Sequence, residues 1–102
     1  MLFRSEIFGP VGCVVPFDGE EEVLAAANDT SFGLAANVWT ENVGRVHRMA
    51  KRLQAGTVYV NTAVAVDQSM PMGGYKQSGW GQERGWKGLE AYFNTKSVYV
   101  GL

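Results

Sequence analysis

Two glycine-rich stretches, a lone cysteine and a lone histidine are the residues of this 102-residue chain that invite a chemical reading first. Gly73-Gly74-Tyr75-Lys76-Gln77-Ser78-Gly79 holds the residue types of a nucleotide phosphate loop. That loop requires glycine, four residues and then Gly-Lys-Ser/Thr, so that backbone N–H groups and the lysine converge on phosphate. The order here is wrong. Gly79-Trp80-Gly81-Gln82-Glu83-Arg84-Gly85 approximates Gly-x-Gly-x-x-Gly with the third glycine one position late. It also follows a loop instead of a strand, so no helix N-terminus is offered to a pyrophosphate in the usual way. Neither stretch completes a phosphate cradle.

Cys13 lies in an apolar run with no ionisable residue within four positions. A reactive thiolate needs an electropositive setting or a paired base, so a buried structural thiol is the expectation. His47 sits beside an apolar stripe among basic residues and reads as a solvated or half-buried side chain. Glu20, Glu21 and Glu22 stand where a helix start favours negative charge, which explains them without a metal. With one cysteine and one histidine there is no zinc set. Trp80, Trp86, Tyr92 and Phe93 lack the basic groove of a base-stacking platform, so core or interface packing is expected. No catalytic constellation emerges from these residues.

The elements that hold them follow from periodicity. Val11-Gly12-Cys13-Val14-Val15-Pro16-Phe17 is a continuous apolar, β-branched run, predicted as a strand covered on both faces. Asp18 followed by Glu21 predicts a helix start, and the helix should run over residues 20–28. After a turn at Ser31-Phe32-Gly33, a second strand is predicted from Leu34 to Thr40. Thr40 then caps a second helix from Glu41 to about Gln54, whose Val43, Val46, Met49, Ala50 and Leu53 form one apolar stripe. Thr57-Val58-Tyr59-Val60-Asn61 reads as a third strand. Strands alternating with helices in this way predict an α/β fold with a parallel βαβαβ core.

From Thr62 to Gly81 no period is visible, and four of the thirteen glycines fall there. So long a structureless stretch inside a compact domain tends to be functional. A short helix is predicted from Gln82 to Tyr92. Lys96-Ser97-Val98-Tyr99-Val100 alternates as an edge strand would.

Composition narrows the function classes. Nine Lys and Arg against ten Asp and Glu leave a formal net charge of −1, without the basic surplus that nucleic-acid binding requires. Hydrophobic residues at 46% argue for a packed core over disorder. No apolar run approaches the roughly 20 residues of a membrane helix. The first residues lack a secretory pattern, so a cytoplasmic chain is expected.

Five ordered motifs resemble one family. Glu6-Ile7-Phe8-Gly9-Pro10 is similar to the Glu-x-Phe-Gly-Pro signature of the NAD(P)-dependent aldehyde dehydrogenases. Asn28-Asp29-Thr30-Ser31-Phe32-Gly33-Leu34 resembles their Asn-Asp-Thr-x-Tyr/Phe-Gly-Leu turn, and Ala55-Gly56-Thr57-Val58-Tyr59-Val60-Asn61 their Ala-Gly-Thr-Val-x-Val-Asn strand. Pro71-Met72-Gly73-Gly74-Tyr75-Lys76-Gln77-Ser78-Gly79 is similar to Pro-Phe-Gly-Gly-x-Lys-x-Ser-Gly, with Met72 in place of phenylalanine. Thr95-Lys96-Ser97-Val98 resembles the family's final strand.

The resemblance implies the C-terminal segment of such an enzyme. Residues 1–94 would be an incomplete part of the catalytic domain, and residues 95–102 an oligomerisation strand. The parent reaction would oxidise an aldehyde to a carboxylate with NAD or NADP. In the family the nucleophilic cysteine, the general-base glutamate and the Rossmann domain all precede the first motif. No catalytic residue is therefore assigned, Cys13 is not the nucleophile, and the chain alone is expected to be inactive and to bind no cofactor. Glu6 would accept hydrogen bonds from the nicotinamide ribose hydroxyls, and Phe8 would pack against the nicotinamide ring. Ala63, Val64, Ala65 and Val66 would line an aldehyde channel. The competing expectation is a non-catalytic interaction module, forming a homo-oligomer through residues 96–100 or pairing with a full-length dehydrogenase.

Overall fold

The computed structural model describes residues 8–102. Its elements are α1 (Glu20–Asn28), β1 (Phe32–Gly33), β2 (Ala35–Val38), α2 (Val43–Arg52), β3 (Thr57–Val60), β4 (Tyr75–Lys76) and α3 (Gly85–Glu90). β2 and β3 pair in parallel, Ala35 opposite Thr57 through Val38 opposite Val60. A parallel pair needs a crossover, and α2 supplies it. The α/β expectation holds, with one βαβ unit in place of the two that periodicity suggests.

The missing unit is the first. Residues 11–17 belong to no helix and to no ladder among the described residues, and Val14 is 94% exposed. An extended run becomes a strand only when a neighbour accepts and returns its backbone hydrogen bonds. The described residues place none beside it. Cys13 in that run is exposed, which corrects the expectation of a buried thiol. Residues 96–100 likewise join no ladder among the described residues.

Local signals set the helices well. α1 has the expected bounds, although its N-cap is Gly19, with no side-chain cap. Glu22 makes the return contact instead, accepting the Asp18 backbone N–H at 2.8 Å. α2 is shorter than expected because Asn42, not Thr40, caps it by accepting the Arg45 N–H at 2.9 Å. Its apolar stripe is only partly used. Met49 is buried with Leu53 just beyond the helix, while Val43 and Ala50 are exposed. Leu24, Val38, Met49 and Leu53 form the buried core, with Val23, Ala36, Val58 and Val60 packed around them.

Charge joins the two long helices along their outer side. Arg48 holds Glu20 through two hydrogen bonds of 2.7 and 2.9 Å, and Arg52 reaches Glu21 at 2.6 Å. Arg45, Arg48 and Arg52 share one face of α2, since positions three and four apart are neighbours on a helix. Hydrogen bonds from Arg48 pull the Glu20 carboxyl down from its ordinary 4.5 to about 2. A carboxyl held below its unfolded value stabilises the fold above pH 4.5 and loses that effect as pH falls toward 2. Helical circular dichroism across this window should therefore fall in the native chain. In Glu20→Gln the dependence should be flatter, starting from a lower plateau. An equal slope in both proteins would remove Glu20 as the group responsible.

Candidate functional site

Ligands of open α/β sheets sit beyond the carboxyl ends of parallel strands. In this chain those ends are Val38-Trp39-Thr40 and Val60-Asn61-Thr62, held in register by one side chain. The Asn61 carboxamide accepts the Thr40 N–H at 2.8 Å and donates to the Thr40 carbonyl at 2.8 Å. Its own N–H continues the ladder to the Val38 carbonyl at 2.9 Å. Asn61 makes this double contact from a left-handed backbone (φ +53°), a region that asparagine tolerates better than most residues. The lock fixes where the chain leaves the sheet and enters the stretch from Thr62 to Gly81.

That stretch folds back in two steps. The Asp67 carboxylate accepts the N–H and hydroxyl of Ser69 at 2.8 and 2.7 Å, and these bonds lower its pKa. Met72 and Glu83 then exchange two backbone hydrogen bonds of 2.7 Å. Met72 consequently lies between two open clefts. One, of about 190 Å³, is lined by residues including Thr57, Tyr59, Met70, Met72 and Arg84. The other, of about 380 Å³, is lined by Leu34, Met72, Gly73, Gly74, Trp80 and others. The smaller is walled mainly by apolar groups with Asp67 and Arg84 at its border, and the larger is mixed, with Ser78, Gln82 and Glu83 in its lining.

The residues singled out in the sequence fall into separate places. Glu6 lies outside the described residues. Phe8 is 98% exposed, its ring free on both faces. Ala63, Val64 and Val66 face solvent, and Ala65 borders the smaller of these clefts. His47 is exposed on α2. Trp80 is 99% exposed, and Trp86, Tyr92 and Phe93 are also uncovered, so none of them is core. Among the described residues no three of His, Cys, Asp and Glu are grouped to hold a metal. Sequence reasoning missed Asn61 and Lys76. Both have positive φ, and both act on carbonyls remote in the chain. The sequence hint for Lys76 is a long side chain in a glycine-rich loop.

The geometry, a βαβ unit followed by a glycine-rich loop returning to the sheet, can be set beside known proteins. A profile of the aldehyde dehydrogenase family matches residues 1–98. The chain belongs to the aldehyde dehydrogenase family. It is 50% identical over 99 residues to 2-aminomuconic semialdehyde dehydrogenase of Danio rerio, covering 97% of this chain and 20% of that protein. Betaine aldehyde dehydrogenase 1 of Rhizobium meliloti is 52% identical over 101 residues, covering 99% of this chain and 21% of the relative. The chain thus spans about a fifth of the length of the curated relatives it matches. The NAD+ complex of a Bacillus cereus aldehyde dehydrogenase superposes with a TM-score of 0.91 at 49% identity, over 97% of this chain and 20% of that one. A P. syringae indole-3-acetaldehyde dehydrogenase bound to NAD+ gives a TM-score of 0.91 at 44% identity, with the same coverage. No helix of the described residues of this aldehyde dehydrogenase-family chain is long and apolar enough to cross a membrane.

Proposed function

We propose that this chain serves as the C-terminal segment of an NAD(P)-dependent aldehyde dehydrogenase, inactive by itself. Residues 1–94 complete the catalytic domain and residues 95–102 form an oligomerisation strand. The reading is carried by near-complete coverage of this chain at 49% identity in the NAD+ complex from Bacillus cereus. A bound nicotinamide would supply the hydride acceptor for oxidation of the aldehyde, with the nucleophile that carries the acyl group coming from outside this chain. This chain's part is to hold and shape. The Phe8 ring, uncovered on both faces, fits a planar stacking partner. Glu6 offers a carboxylate with acceptor capacity for two hydroxyls of a ribose. Ala63, Val64, Ala65 and Val66 give the aldehyde an apolar passage, a reading supported by the cleft that Ala65 and Met72 line together.

The test is a graft. This chain replaces the matching fifth of the Rhizobium meliloti relative, and aldehyde-dependent NADH formation is followed. The graft should be active and the isolated chain should not. Glu6→Ala in the graft should raise the KM for NAD+ by roughly ten- to a hundredfold, the value of a hydrogen-bonded carboxylate. An unchanged KM would remove Glu6 from the cofactor site. A folded graft of correct mass without activity would sink the segment reading. Glu6-dependent turnover by the isolated chain would overturn its inactivity.

A second reading, a non-catalytic module that self-associates through residues 96–100 or pairs with a full-length dehydrogenase, is supported by the exposure of Trp80, Trp86, Tyr92 and Phe93. Aromatic side chains of this kind are enriched in the cores of protein interfaces. Solution mass decides it.

A further inference from the structure

We infer that Lys76 is a positioning residue: its ammonium, anchored on the carbonyl end of α1, holds the loop bearing Met72, Gly73 and Gly74 against the start of β3. The carboxyl end of a helix carries partial negative charge and unpaired carbonyls, which cations from the last turn commonly satisfy. The last turn of α1 contains no basic residue. Lys76, 48 positions beyond Asn28, supplies the charge instead. Its Nζ donates to the Asn28 carbonyl at 2.7 Å and to the Thr30 carbonyl at 3.1 Å. A lysine aimed only at solvent would have no reason to meet two carbonyls at once.

The backbone tells the same story. Lys76 is left-handed, φ +54°, a conformation a side-chain-bearing residue keeps only where its surroundings determine it. Those surroundings are the turn after α1. Lys76 pairs with Phe32, the Gln77 N–H donates to the Ser31 carbonyl at 2.9 Å, and the Gly33 N–H donates to Ser78 Oγ at 2.9 Å. Three successive residues thus bind one turn. The turn is itself fixed to the end of α2, because the Asn28 carboxamide donates to the Arg52 carbonyl at 3.0 Å and accepts the Gln54 N–H at 2.9 Å. Lys76 therefore ties the loop to a point that already joins both long helices. On its other side the loop's Gly73 carbonyl lies directly over Gly56, one residue before β3. Only the statement that this loop walls an aldehyde passage rests on the proposed function.

Amide hydrogen exchange on the full chain tests the inference without any catalytic readout, so an inactive graft would leave it standing. In Lys76→Met, exchange at Gln77 and Gly33 should accelerate about tenfold or more, the factor for losing a charge-assisted hydrogen bond. Thr57 and Asn61, whose N–H groups bond Leu34 and Val38 in the parallel pair, should change less than about twofold. Lys76→Arg keeps the charge and the reach, and should restore protection at Gln77 and Gly33. Unchanged exchange at those two amides in Lys76→Met would overturn the inference. So would equal acceleration at Thr57 and Asn61, or native Gln77 and Gly33 amides that exchange as freely as open loop.

Discussion

Gly56→Ala is expected to unseat the Gly73-Gly74 loop and to lower stability by about 3 kcal/mol or more, the upper range for overpacking. A methyl group at Gly56 would lie 1.7 Å from the Gly73 carbonyl oxygen and 2.8 Å from its carbon. Ordinary contact needs nearly twice the shorter distance, so strand and loop would have to part by more than an ångström. Neither side is free to give. The Gly56 N–H is bonded to the Gly33 carbonyl at 3.0 Å, and the loop is gripped from the opposite side by Lys76 and Ser78. Both atoms in conflict are backbone, so no rotamer change relieves the clash. Gly101→Ala is the matched control, since a Cβ there meets nothing within 4 Å, and it should change stability by less than about 0.5 kcal/mol. Urea midpoints of the two variants separate the outcomes. A Gly56→Ala midpoint equal to that of the native chain would mean the loop does not rest on this residue.

What was legible in the sequence was what neighbours in the chain decide. The bounds of α1 follow from three glutamates at its start and the Asn28-Asp29 stop, all within one segment. The third strand follows from a β-branched run after Gly56, and it emerges only one residue shorter. Residues 11–17 fail as a strand for the opposite reason. Their composition matches a covered strand, yet pairing depends on atoms far away in the chain, and no local pattern encodes a ladder. Cys13 is exposed for the same reason, because its apolar neighbours in sequence are not apolar neighbours in space. Glu20, Glu21 and Glu22 form the first turn of α1, as their local pattern predicts. The arginines that answer Glu20 and Glu21 lie 25 to 31 positions away, and only the fold brings them together. Asn61 and Lys76 show the same limit at the site. Each acts through a left-handed backbone and a carbonyl at least 21 positions distant, while its immediate neighbours look like ordinary strand end and loop. Family motifs cross this limit because they record the fold along with the residues. The matched turn, strand and glycine-rich loop are the pieces that meet around Gly33, Gly56 and Gly73.

Deleting residues 95–102 is expected to halve the solution mass of the purified chain, from a dimer to a monomer. The chain exposes 8748 Å², against about 5,700 Å² for a compact protein of its mass. Its radius of gyration is 18.1 Å where about 13 Å would suffice for a compact chain of this length. The surplus surface exceeds the roughly 800 Å² per partner of a standard interface. Much of it is apolar, with Val98 and Val100 uncovered and Tyr99 94% exposed. Residues 96–100 offer what such a surface needs to pair. They alternate in character, and among the described residues they belong to no ladder and make no backbone hydrogen bond to another segment. Two copies related by a twofold axis would pair this segment with itself, which closes the assembly and leaves no repeating edge. The deletion removes no part of a described helix or strand, so it tests association without dismantling the βαβ unit. Light scattering across a concentration series reads the result. If the shortened chain keeps the dimer mass, the aromatic surface of Trp80, Trp86, Tyr92 and Phe93 holds the copies together and the terminal segment does not. If the native chain is monomeric at every concentration, the surplus surface is covered by neither route, and the interaction-module reading fails with it.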